Sequence, residues 1–315
     1  MPKFFARLIV MIAVLLPTGA NAVEFVFASA EEGREILLSQ DSYFNRMSAP
    51  EIAIRMSSET ADKTAADLKA LYAESVLDWT EEEIEQFRSV IEENWDGVER
   101  VSHLLPDTVY FIRATTGIEG GLPHTHANAI IIQNSVEELS AFLFFHELFH
   151  VLSRHNSDKQ AEIYGLLGFQ ACTFEEPGQL AAIHLTNPDV PFDAYYLTVQ
   201  VLGTPRAVIP FLYAAHPAFN PEVENGFPGH FGFGLLLVEV LDGSCSAMTD
   251  EDGNAIIQAV DTVPGYLEAL GGNTGYIIHP EETISDNFVF LVTGKEDLQT
   301  PELPAKIGAW IDAQK

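Results

Sequence analysis

The chain has 315 residues, 46 of them acidic and 16 basic, for a formal charge of -30 at neutral pH. So strong a negative field excludes a nucleic-acid binder. An apolar content of 47% with 21 phenylalanines excludes extensive disorder, and the length suits one large domain or two small ones, with no internal repeat.

At the N-terminus, Lys3 and Arg7 precede the apolar run Leu8 to Leu16, and Ala20-Asn21-Ala22 follows Pro17. Charge, apolar stretch and small residues in that order predict a cleavable export signal over 1–22, leaving 23–315 as the working chain with no confident boundary inside it. The run is too short to span a bilayer, which takes roughly 20 residues, and no later uncharged stretch is long enough, so no membrane insertion of the mature chain is expected. The expected location is secreted or periplasmic. In an oxidising compartment the two cysteines, Cys172 and Cys245, are expected to be bridged, with two separate buried thiols as the alternative.

Leu68, Leu71 and Tyr72 recur at helical spacing, and Thr80-Glu-Glu-Glu83 has the form of a capping box ahead of Ile84, Phe87, Val90 and Ile91. Two helices are therefore predicted between 57 and 100. The β-branched and aromatic stretch Thr108 to Arg113 predicts a strand, and a second strand covers 127–133 after a glycine-rich turn. Ser135-Val-Glu-Glu138 predicts the start of a helix that runs to about Arg154, apolar nearly all round and so buried. Positions 161–170 read as helical, and the proline-punctuated stretch 186–225 as short helices and loops. Further helices are predicted at 231–241, with a strand as the alternative, and at 255–270. The last clear helix begins at Pro280 and ends near Gly294, before a short one around 307–311.

His146-Glu147-Leu148-Phe149-His150 falls inside the buried helix. Residues four apart share a helical face, so both imidazoles can converge on one ion while Glu147 reaches a water beside it. Random placement would give about 0.03 such matches in this chain. Two imidazoles and a carboxyl on an apolar helix are also costly to bury unless an ion pairs with them. A third ligand must come from elsewhere. Glu162 is nearest along the chain, yet Glu282 is preferred: Asp286 stands one turn later, placed to orient an imidazole, and Pro280 fixes the start of that helix.

Together, His146–His150 and Glu282-Thr-Ile-Ser-Asp286 resemble the two motifs of the HExxH-plus-Glu, thermolysin-like zinc metallopeptidases, the gluzincins. The resemblance covers those two stretches, with Glu282 following His150 by 132 residues, a long insertion. A metzincin is disfavoured, because Ser153 and Asn156 stand where its Gly and His would be. The resemblance implies an α+β, zincin-like catalytic domain, largely helical, with a small sheet whose edge strand, 127–133, lines the cleft and pairs with extended peptide. It further implies zinc held by His146, His150 and Glu282, Glu147 as general base, Asp286 on a ligand imidazole, and hydrolysis of peptide or protein substrates. The alternative is a non-catalytic, zinc-stabilised secreted binding module.

Other candidates are weaker. His230, on a glycine-flanked turn, is the first choice for a further catalytic group that steadies the oxyanion, ahead of His124, His126, His279 and Tyr276. Asp242, Glu251 and Asp252 read as a solvated acidic loop rather than a calcium site.

Overall fold

The computed structural model describes residues 23–39, 41–190, 194–201 and 203–315; the predicted export signal over 1–22 lies outside the described residues. In chain order the elements are β1 (Glu24–Phe27), α1 (Ala30–Leu38), α2 (Asp41–Arg46), α3 (Ala49–Arg55), α4 (Ala65–Ser75), β2 (Val76–Leu77), α5 (Glu81–Glu93), α6 (Trp95–Val101), β3 (Thr108–Ala114), β4 (His124–His126) and β5 (Ala129–Gln133). There follow α7 (Ala141–His155), α8 (Gln160–Gly165), β6 (Gln170–Phe174), α9 (Gly178–Ala181), β7 (Ala194–Val201), β8 (Thr204–Ala214), β9 (Phe231–Leu241), β10 (Ser244–Ala247), β11 (Ile257–Gln258), α10 (Pro264–Leu270), α11 (Pro280–Val292) and α12 (Glu302–Ala313). Among the described residues, no helix is long and apolar enough to cross a membrane.

Local chemistry explains most helix starts. The Thr80 hydroxyl accepts from the Glu83 amide and Glu83 reaches back to Thr80, so the predicted capping box is formed. The box read at Ser135 is not used. Helix α7 begins later, where the Ser140 hydroxyl accepts from the Leu143 amide. Helix α11 starts on Pro280 with the His279 side chain as its cap, and Glu281 and Glu282 sit in its first turn, where the helix dipole favours acids.

Strands β1, β3 and β5 run parallel, and β4 lies antiparallel on the outer side of β5. The strand predicted at 127–133 is thus an inner strand, β5, and the edge belongs to β4. Helix α7 packs on this sheet, burying Phe144, Phe145, Leu148 and Phe149 against Phe25, Phe111 and Phe288.

The expected zincin-like fold is contradicted by the second half of the chain. Strands β6, β7, β8, β9 and β10 pair in that order, and β10 pairs back to β6 as well as β9, closing a five-stranded barrel. A zincin-like domain with one small sheet has no such barrel. The stretch read as short helices and loops contains β7 and β8, and the one read as a helix at 231–241 is β9. The misreading of β9 has a physical cause. Leu235 and Leu237 join the main core while Leu236 and Val238 pack with Ile209 and Phe211, so both faces are buried and no alternation shows in the sequence. Pro210 is tolerated inside β8 because β7 pairs only as far as Val208 and leaves that flank. The Cys172–Cys245 disulfide joins β6 to β10 at the seam where the barrel closes.

Candidate metal centre

Helices α7 and α11 pack with their contacts running in opposite chain directions, so each turn of one meets a turn of the other. His146 Nδ1 lies 2.9 Å from Asp286 Oδ1, and one turn on, His150 Nδ1 lies 2.9 Å from Glu281 Oε1. These carboxylates fix both rings with their Nε2 atoms turned inward. There they meet Glu282 Oε2, at 3.3 Å from His146 and 3.4 Å from His150. Donor atoms around a tetrahedral ion with bonds of about 2.0–2.2 Å stand about 3.3–3.5 Å apart, so the spacing fits. His150 Nε2 and Glu282 Oε2 are buried and have no hydrogen-bonding partner, as is Glu147 Oε2. Orphaned acceptors sealed from water are costly unless something binds them. The grouping His146, His150 and Glu282 therefore suits a cation.

The supports of this centre are themselves buried and bonded. Glu281 Oε2 accepts from Ser153 Oγ at 2.8 Å and from Tyr164 OH at 2.6 Å. The other oxygen of Asp286 accepts from Thr274, Ser285 Oγ lies 3.0 Å from His146 Nδ1, and Asn187 Nδ2 donates to Glu282 Oε1 at 2.5 Å. Burial works against a charged His146, but the Asp286 and Glu282 carboxylates outweigh it and raise the ring to about 9. His150 is likewise held well above the ordinary range, by Glu282, Asp189 and Glu281 against burial. Glu282 is driven well below the usual carboxylate range, His150 and His146 overcoming its burial. Glu147 is pushed up to about 8 by burial and then by Asp189.

The remaining predicted residues fall as follows. Glu162 is exposed, and its carboxylate accepts from Trp310 Nε1 at 3.2 Å, away from the grouping. The role given to His230 is corrected: the ring is fully buried, stacked on Phe219, with Nε2 accepting from the Asn220 amide at 2.8 Å and Nδ1 on the Gly226 carbonyl at 2.7 Å. Neither nitrogen is left for an oxyanion. His279 is occupied as the α11 cap, its Nδ1 accepting from the Glu281 amide at 3.1 Å. His126 is packed edge-on against Tyr43 and Tyr72. Tyr276 is 40% exposed, stacks on His146 at 5.8 Å and lines a cavity beside the centre. Its hydroxyl proton is held firmly, first by the Glu282 charge and then by burial. Among the described residues, the groupings able to hold a metal include none of Asp242, Glu251 and Asp252, and the Asp250 carboxylate closes the acidic loop on its own backbone.

Three contributors went unread in the sequence. Glu281 adjoins Glu282, and its position one step round the helix, facing the second imidazole, was the available signal. Asn187 and Asp189 sit on an irregular segment around Pro188, where no periodicity places a side chain. Asp189 Oδ1 accepts from both the Thr125 amide and hydroxyl, at 2.6 and 2.7 Å. That occupies the outward amide of edge strand β4, where an added peptide strand would have bonded. Comparison with protein-family models, with curated proteins and with solved structures finds no match.

Proposed function

We propose that the chain is a zinc-dependent peptidase, exported by its N-terminal segment, in which His146, His150 and Glu282 hold the ion. The convergence of three buried donor atoms at ion-binding spacing, with each imidazole backed by its own carboxylate, is the observation that carries this reading. Two imidazoles and one carboxylate are a donor set that zinc favours. When bound, zinc supplies Lewis acidity that acidifies a water and polarises a carbonyl oxygen.

The chain's own groups do the rest. Glu147 lies one residue from the first ligand with an unpartnered oxygen, so it is placed to take a proton from the attacking water and pass it to the leaving amine. A purely structural site has no use for that base, which disfavours the non-catalytic binding module. Tyr276, which keeps its proton and reaches the cleft, is the donor assigned to the developing oxyanion in place of His230. Asp286 and Glu281 hold the ligand rings in one tautomer and orientation. The test is a peptide-library assay of the mature protein, with metal content measured on the same sample. Cleavage abolished by a chelator and restored by zinc is expected. Cleavage indifferent to metal removal contradicts the reading, and zinc bound with no peptide cleaved leaves the binding module instead.

A further inference from the structure

Glu282 can meet an ion with one oxygen or with both, and the number decides whether a coordination place stays open. Oε2 faces the two imidazoles and has no hydrogen-bonding partner. Oε1 is taken by Asn187 Nδ2 at 2.5 Å. The other contact of the Asn187 amide settles which end faces Glu282. Oδ1 lies 3.0 Å from the Asp189 backbone amide, which can only donate, so the nitrogen must be the end on the carboxylate.

The sequence builds this contact with a turn. In Asn187-Pro188-Asp189-Val190 the Val190 amide donates to the Asn187 carbonyl at 3.3 Å, with Asn and Pro at the first two places, where such turns favour them. Cavities of about 750 and 440 Å³ both border Thr186 and Asn187, so bonds more than packing hold the segment. Those bonds come from helix α3. Glu51 accepts from the Thr186 amide at 2.7 Å and hydroxyl at 3.2 Å, and Arg55, paired with Glu51 at 2.8 Å, donates to the Thr186 carbonyl. Beyond Asn187, Arg154 of α7 donates to the Pro188 carbonyl at 3.0 Å. Glu51 and Arg55 are both buried, and a buried ion pair contributes little net stability, because desolvation offsets its attraction. This pair instead grips all three polar groups of Thr186, and the next residue holds the metal ligand.

We propose that Asn187 is a positioning residue that keeps Glu282 a one-oxygen ligand, and that Glu51 and Arg55 act on the metal centre through it. The proposal rests on the metal-binding reading above. With Oε1 occupied, Oε2 alone is left for the ion, so two imidazoles and one oxygen fill three places and the fourth stays free for water.

Asn187→Ser tests this, because a hydroxyl can keep the bond to the amide two residues on but is too short to bridge to Glu282 as well. The readouts, on the full mature chain, are competition with a chromophoric chelator and the visible spectrum of the cobalt-substituted protein. Asn187→Ser should bind zinc about tenfold or more weakly, and its cobalt spectrum should change as Glu282 turns its second oxygen to the ion. Wild-type affinity or a wild-type spectrum in this variant overturns the proposal and leaves the metal centre standing. Glu51→Gln should weaken zinc binding at least about twofold in the wild type and no further in Asn187→Ser. Equal losses in both backgrounds, or none in either, overturn the role given to α3. Zinc-loaded crystals of the wild type decide without any variant: one Glu282 oxygen at about 2.0–2.2 Å is expected, and both at bonding distance overturn the proposal. A wild type that binds no zinc sinks the metal centre itself, and the proposal with it.

Discussion

Glu281 is the residue through which this centre can be perturbed most cleanly, because two substitutions there separate charge from hydrogen bonding. Its carboxylate takes three buried donors: His150 Nδ1, Ser153 Oγ and Tyr164 OH. In Glu281→Gln the amide oxygen can still accept from His150, and the amide nitrogen can donate to the two hydroxyl oxygens, which turn to receive it. What is lost is the charge on one hydrogen bond to a ligand imidazole. Charged hydrogen bonds contribute about 1.5–3 kcal/mol and neutral ones about 0.5–1.5, so the loss is about 1–1.5 kcal/mol, or roughly tenfold in zinc affinity with the fold retained. Glu281→Ala instead leaves three donors without an acceptor in a closed space, at about 1 kcal/mol or more each, for about 3 kcal/mol or more in all. That is a large share of a stability of about 5–15 kcal/mol. Competition with a chromophoric chelator reads the first effect and urea unfolding the second. Glu281→Gln binding zinc as tightly as the wild type, or Glu281→Ala unfolding at the wild-type midpoint, would refute the reasoning.

Three other outcomes follow. Glu147→Ala should keep about one zinc per chain and lose about 10²-fold or more in peptide cleavage; undiminished cleavage removes Glu147 from the mechanism. Reduction of Cys172–Cys245, which closes a 73-residue span across the barrel seam, should cost about 4 kcal/mol on chain-entropy grounds, read as a lower urea midpoint in reductant, and an unchanged midpoint counts against it. Burial drives His126 well below its ordinary range and His279 down to about 3, so both stay neutral in the folded chain while their unfolded forms protonate below about 6.5. Stability from this source is complete above about pH 6.5 and falls toward pH 3. At pH 4.5 His279 alone accounts for about 3 kcal/mol, and chelator-treated His279→Gln should lose that much of the acid sensitivity; an identical pH profile would contradict it.

Sequence and structure agree where the chemistry is local. The buried helix carrying His146 and His150, the proline start of α11 and the cap at Thr80 all follow from spacing within a few residues. The pairing of Glu282 with the two imidazoles and of Asp286 with His146 was also legible, because both acids lie on one face a turn apart. The barrel was not. Its middle strands bury both faces, so Leu235–Val238 shows a continuous apolar run that fits helix as well as strand, and prolines within β8 look like breaks until its one-sided pairing is known. Closure depends on β10 meeting β6 some 70 residues earlier, which no local pattern encodes. Asp189 is invisible for the same reason: an irregular segment carries it to edge strand β4 and to the centre.

The most direct test of the metal centre is diffraction at the zinc absorption edge from crystals of the mature protein grown with zinc. One anomalous peak is predicted, about 2.0–2.2 Å from His146 Nε2, His150 Nε2 and a Glu282 carboxylate oxygen. A peak held instead by Glu147, His150 and Asp189, or no peak at either grouping, would contradict it.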